Sequence, residues 1–179
     1  MTDRGVKRPM ARVHAVSGAA RRGVVAIGNL RLPCAIGRGG IAARKREGDG
    51  ASPRGSWPVR CAYYRADRIR RPPLGLAVRP LQPRDGWCDA PADGNYNRPV
   101  RHPYPASAER LWRSDGLYDL VLVLGYNDMP RARGRGSAIF MHVARPDLSP
   151  TEGCVALGLR DLIKAARLMR PGTRVRIGR

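Results

Sequence analysis

At 179 residues the chain is long enough for one domain with a core of its own, and its 42% hydrophobic content fits a globular protein. No stretch approaches the ~20 apolar residues of a membrane span. The basic start (Arg4, Lys7, Arg8) is followed by no apolar segment of the kind a cleavable signal peptide needs. The net charge of +20 is uneven: residues 1–71 hold 17 basic and 4 acidic residues, and residues 72–179 hold 17 and 10.

Such a balance would attract nucleic acid, anionic lipid or another acidic polymer. Yet 31 of the 34 basic residues are Arg, and they are dispersed. The densest runs, Arg44-Lys45-Arg46 and Arg131 to Arg135, lack the interleaved aromatics of a single-strand binding surface. A solvated, Arg-rich surface is the plainer reading, and no nucleic-acid partner is expected. The four cysteines (34, 61, 88 and 154) include no Cys-x-x-Cys pair, and the three histidines (14, 102 and 142) lie far apart. A zinc site is therefore not expected. The even cysteine count allows disulfides but pairs none of them.

Residues 1–12 read as a basic, disordered lead-in to a single domain over 13–179. "VHAVSG", "RGVVAIGN" and "LRLPCAIG" (13–37) are short apolar runs bounded by Gly, Asn and Pro. They predict strands of a meander, with Gly28-Asn29 as a tight hairpin turn. Residues 37–60 are rich in glycine and charge and predict a long loop, of the kind that often carries function. Strand character resumes over 57–69, with Val59, Cys61 and Tyr63 on one face. Residues 72–107 hold eight of the 16 prolines and predict a coiled excursion over one side of the sheet. Trp87, Tyr96 and Asn97 lie in it.

"LYDLVLVLGYND" (117–128) is apolar on both faces and predicts a central strand. "GSAIFMHVA" (136–144) predicts the next strand, with His142 near its end. Apolar residues at 159, 162, 163, 166 and 169 have helical period, and Pro171-Gly172 ends that helix. "TRVRIG" (173–178) predicts a short closing strand. The expected class is mainly β, with one clear helix near the C-terminus.

The segment "SAIFMHVARPDLSPTEGCVAL" (137–157) brings His142 to the end of a strand and Cys154 to the end of an 11-residue loop. A free thiol is only a few per cent ionised at neutral pH, so a cysteine nucleophile needs a base within hydrogen-bond reach. If Cys154 opens a strand beside the end of His142's strand, the two side chains can meet. Gly153 would let the backbone approach a substrate closely, with N–H groups facing a developing oxyanion. The spacing alone is a weak signal, since a lone cysteine in an apolar context is usually an inert core residue and a lone histidine at a strand end is more often a surface or core residue than a base.

With its neighbours, however, "IFMHVARPDLSPTEGCVAL" resembles the active-site segment of the L,D-transpeptidase catalytic domain, the YkuD-like family. The shared pattern is a strand ending in His, a loop, and Ser/Thr-x-Gly-Cys-Val/Ile. His142, Thr151, Gly153, Cys154 and Val155 stand at its positions. Upstream, "PCAIGRGG" followed by "KREGDGASPRGSWPV" is similar to the family's glycine-rich segment, in which a Thr/Ser-Pro-x-Gly turn leads into a strand. "GWCDAPADGNYNRPV" and "LYDLVLVLGYND" also resemble segments of a bacterial branch. The chain departs from the pattern at Val143, Glu152, Ala156 and Leu157, where members often have Gly or Ser, His, and a polar pair.

The resemblance implies a β-sandwich-like fold with mixed sheets and little helix. It implies acyl transfer on peptidoglycan stem peptides, in the periplasm or cell envelope, with no metal or organic cofactor. Cys154 would be the nucleophile, His142 the base and then the acid, and Gly153 an oxyanion-binding backbone N–H. Thr151, Arg145 and Tyr126 are the candidate substrate-binding residues; Arg133 and Arg135, near the same segment, are further candidates for gripping stem carboxylates. Two other readings stand beside this one: an L,D-carboxypeptidase or hydrolase of the same fold, and a non-catalytic Arg-rich protein that binds an anionic polymer.

Overall fold

The computed structural model describes residues 10–17 and 21–178. Of the basic lead-in expected over 1–12, residues 1–9 lie outside the described residues, and residues 10–12 already belong to a strand. β1 (Met10–Ala15), β2 (Arg22–Ile27) and β3 (Leu30–Ala35) form the expected antiparallel meander. In its tight turn Gly28 takes φ 51°, a conformation that costs glycine little. The glycine-rich stretch after it is mostly loop, tied by a short parallel ladder between β4 (Ile41–Ala42) and β5 (Ser52–Pro53).

β6 (Gly55–Tyr64) follows and runs for ten residues. β7 (Val78–Pro80) pairs beside it, and β8 (Asp85–Cys88), β9 (Pro99–Arg101) and β10 (Ala108–Arg110) make a separate three-stranded sheet. The chain then returns to the main sheet as β11 (Leu120–Leu124), β12 (Phe140–Val143) and β13 (Val155–Leu157). The helix α1 (Leu159–Arg167) and the closing strand β14 (Arg174–Ile177) complete it.

The main sheet runs β11-β12-β13-β3-β2-β1-β14-β6-β7, and β6 also pairs with β11, so the sheet closes on itself. Alternation sends one side chain in two into the space enclosed. Val13, Val25, Leu32, Leu122, Met141 and Val175 meet there, and the apolar stripe of α1 (Leu162, Ala165, Ala166) with Met169 fills the remaining volume. β11 is buried on both faces, as its unbroken apolar run implies: Leu120, Leu122 and Leu124 point inward, Val121 and Val123 outward. The fold is mainly β, with one helix among the described residues. Among the described residues no helix is long and apolar enough to cross a membrane.

Two expectations are corrected. Val59, Cys61 and Tyr63 do not share a face, because the β6–β11 register skips Arg60: Leu124 pairs with Val59 and Val123 with Cys61. This bulge sends Val59 into the enclosed core while Cys61 and Tyr63 face outward, and β6 ends at Tyr64 rather than 69. Residues 72–107 are not simply coil. Their three- and four-residue strands are too short to show a periodicity, yet they build a sheet. That sheet lies over the outer face of β11 and β12 through a second core containing Trp87, Leu81, Leu111, Tyr118 and Phe140.

Candidate active site

β12 and β13 run parallel, with Met141 opposite Val155 and His142 opposite Ala156. Inward go Met141, Val155 and Leu157. Phe140, His142, Cys154 and Ala156 therefore share the outer face, which places Cys154 diagonally across one strand spacing from His142. Both line one cavity of about 430 Å³. Ala156, directly beside His142, is small and lines the cavity too, so the departure from a polar residue there leaves room for the imidazole. Leu157, the next departure, is an inward core residue.

The imidazole is held by two contacts. Its Nδ1 lies 2.9 Å from the Val143 carbonyl, which fixes the tautomer with the proton on Nδ1 and leaves Nε2 as the basic nitrogen. Tyr118 packs edge-on against the ring at 5.3 Å between centroids. Val143 itself is anchored by its N–H to the Leu117 carbonyl. Burial pushes His142 down to about 4.

Cys154 Sγ donates to the Ala138 carbonyl (3.2 Å) and accepts the Phe140 N–H (3.3 Å). Burial pushes its thiol up to about 12, and the negative charge of Glu109 acts the same way, against the Phe140 N–H and the Lys45 ammonium. The resting pair is thus a neutral thiol and a neutral imidazole.

The turn that presents the cysteine is fixed by hydroxyls. The Cys154 carbonyl accepts from Thr151 Oγ1 (2.6 Å) and from the buried Ser52 Oγ (3.3 Å), while Ser52 Oγ accepts the Gly37 N–H. Thr151 Oγ1 also accepts the Gly153 N–H at 3.2 Å. Gly153 sits at φ 130°, and a Cβ on it would lie 2.8 Å from the Ala51 carbonyl oxygen, so the position requires glycine. Glu152 points outward and pairs with Arg38 at 2.7 Å, pinning the turn to the loop after β3.

Of the sequence candidates, Cys154, His142, Thr151 and Arg145 line the cavity. Gly153 shapes its wall from behind, against Ala51 and Ile139. Tyr126 does not line it: its ring packs edge-on against Trp57 at 4.8 Å, and its hydroxyl donates to the Arg135 carbonyl. Arg133 and Arg135 stand outside it as well.

Sequence reasoning did not find Ser52, Lys45, Glu109 or Tyr118. Lys45 is buried against the Gly153-Cys154 turn and ion-paired to Asp49 at 2.7 Å. Glu109 accepts from the Tyr118 hydroxyl, and its carboxyl is raised by burial. Each arrives from a loop or short strand distant in sequence; Lys45, Ser52 and Tyr118 fall in segments that resemble the family's, but nothing in those segments marks them as site residues. The cavity carries Glu47, Asp89 and Glu109 against Arg113 and Arg145, an acidic interior in a basic protein, while Glu152 also lines it but turns its carboxylate out to Arg38.

No curated protein and no solved structure matches the chain. The model of the L,D-transpeptidase catalytic domain, YkuD, matches residues 13–177, from within β1 to the last residue of β14. With that match over nearly its whole length, the chain belongs to the L,D-transpeptidase catalytic-domain family, a family of enzymes acting on peptidoglycan.

Proposed function

We propose that the protein is a cysteine L,D-transpeptidase that joins peptidoglycan stem peptides in the cell envelope through a thioester on Cys154. The observation that carries this reading is the placement of Cys154 and His142 on one outer face of adjacent parallel strands, both lining a single cavity. In the reaction, Cys154 Sγ attacks the carbonyl carbon of the third stem residue, a diamino acid. The thiol proton passes to His142 Nε2 as the S–C bond forms. Because both groups are neutral at rest, transfer and attack go together rather than from a stored thiolate.

The tetrahedral oxyanion is held by backbone N–H groups of the Gly153-Cys154 turn. For Gly153 this means exchanging its 3.2 Å bond to Thr151 Oγ1 for the oxyanion. Collapse breaks the C–N bond, and His142 returns the proton to the departing D-alanine amine. The side-chain amine of a second stem then attacks the thioester, gives its proton to His142, and displaces the Cys154 sulfur, which recovers the proton. Arg145 and Arg113 suit the stem carboxylates, and the carboxylates of Glu47, Asp89 and Glu109 suit the ammonium of a diamino acid. An anionic polymer has no such complement here, which weighs against a purely binding role for this cavity.

Two measurements test the reading. Incubation with a carbapenem should give a covalent adduct by intact mass, absent from Cys154→Ala; an undiminished adduct on that variant refutes the nucleophile. Incubation with a stem tetrapeptide and an acceptor amine should give the cross-linked product, whereas release of tripeptide alone identifies the hydrolase.

A further inference from the structure

The outer face of β3-β2-β1-β14-β6 is unlike the rest of the surface. Its inward partners are the core residues Val13, Val25, Leu32 and Val175, so Arg12, Arg31, Arg174 and Arg176 all project outward and all are exposed. The ladder registers set them in a block. Arg31 lies opposite Ala26, Ala26 opposite Arg12, Arg12 opposite Arg176, and Arg176 opposite Ser56; Arg174 follows two residues along β14. None of the four makes an ion pair with a described residue. Arg174 donates to Ser56 Oγ, and Arg31 to the Gly28 and Leu30 carbonyls. Like charges directly opposite each other destabilise a strand pair, so folding gains nothing from setting Arg12 beside Arg176.

Between the arginines the face is mostly apolar, with His14 and Ser56 as polar side chains among them. Met10 is 39% exposed, and Val24, Ala26, Pro33 and Pro58 are exposed or half-buried. The aromatic ring on this face is the exposed His14, opposite Val24 and two residues along β1 from Arg12, since alternation directs Trp57 toward the enclosed core. A flat array of guanidinium groups with apolar side chains between them, and a lone imidazole in place of a row of rings on which successive bases could stack, does not suit nucleic acid. It matches a plane of lipid phosphates with acyl chains below: guanidinium binds phosphate oxygens bidentately, and small apolar side chains enter the headgroup layer.

We propose that this face docks the protein on the surface of an anionic phospholipid bilayer. The docking face and the acidic cavity occupy different strands of the closed sheet's outer surface, β3 to β6 through β14 for the one and β12-β13 for the other. Docking therefore leaves the cavity open. It is also independent of the cysteine chemistry, and the experiment is run on Cys154→Ala protein so that the two readings fail separately.

The full chain is sedimented with large unilamellar vesicles of phosphatidylcholine, with and without 30% phosphatidylglycerol (roughly the regime in which each surface-apposed basic residue contributes several-fold). Binding is expected only to the anionic vesicles and is expected to weaken at high salt. Replacing Arg12, Arg174 and Arg176 by Gln should lower the affinity roughly a hundredfold. Replacing the exposed Arg84, Arg101 and Arg160 by Gln, which removes the same charge elsewhere, should change it less than about fivefold. Circular dichroism checks that both variants fold. Equal losses in the two triple variants, no binding to anionic vesicles, or tighter binding to a single-stranded or duplex DNA oligonucleotide that depends on the same three arginines would each overturn the proposal.

Discussion

At the residue scale, the notable property of the Cys154–His142 pair is that neither is charged at rest. A thiol held at about 12 by burial should alkylate in proportion to its thiolate fraction, tenfold per pH unit, with no plateau. Iodoacetamide labelling of Cys154, followed by peptide mass mapping from pH 6 to 9, is expected to rise throughout; a plateau near neutrality would mean a pre-formed thiolate–imidazolium pair. His142 makes the complementary statement about stability. Its folded value of about 4 lies below the unfolded 6.5, so the unfolded state binds the proton first as pH falls. The stability present above 6.5 is lost between 6.5 and 4, by about 3 kcal/mol. Urea melts of His142→Gln should show a visibly shallower loss over that window than the parent chain. Thr151→Val keeps the shape of the side chain but removes both the donor to the Cys154 carbonyl and the acceptor for the Gly153 N–H. A cost of about 1–2 kcal/mol in stability is expected, with a larger fall in the carbapenem acylation rate, because the turn that carries Cys154 loosens.

At the element scale, the parts of the fold legible in the sequence were those with long or strongly patterned signals. The doubly buried β11, the β2–β3 hairpin at Gly28-Asn29 and the helix from 159 follow from residue pattern alone. The His142–Cys154 segment was legible as a motif, but its geometry rests on the parallel β12–β13 register, which no local pattern encodes. The bulge at Arg60 and the β8-β9-β10 sheet were not legible. A one-residue register skip leaves the composition unchanged, and three-residue strands rich in proline and charge look like coil. That sheet nevertheless helps position the site, and Asn97 is its main link. Held at φ 55°, Asn97 accepts from Trp87 Nε1 and the Ala138 N–H, and donates to the Tyr126 and Asn127 carbonyls. Ala138 in turn supplies the carbonyl that holds Cys154 Sγ. Asn97→Ala should cost about 2–4 kcal/mol, since several buried partners lose their bonds and a non-glycine residue without a local polar group is left at positive φ. Thermal unfolding measures the cost. The iodoacetamide rate at Cys154 should rise in this variant as the sulfur loses its fixed carbonyl partner.

At the scale of the whole molecule, a net charge of +20 surrounds a cavity with more carboxylates than guanidinium groups. Self-repulsion of that size lowers stability at low salt and is relieved as ions screen it. The repulsion is not spread evenly, because Arg12 and Arg176 stand directly opposite each other, whereas Arg101 on β9 stands opposite Asp85. Arg176→Thr keeps a residue suited to a strand and removes one member of the like-charged pair. In 20 mM salt it should stabilise the protein by about 0.2–1 kcal/mol, seen as a Tm higher by about 1–4 °C. Arg101→Thr, which removes a charge that stands opposite a carboxylate and not opposite another guanidinium, should show no gain. In 1 M salt the screening length falls to about 3 Å, shorter than a strand spacing, and the advantage of Arg176→Thr should shrink toward zero. A gain that persisted unchanged at high salt would mean the replaced side chain was strained rather than repelled. In that case the arginine block could not be described as a stability cost that folding alone leaves unexplained.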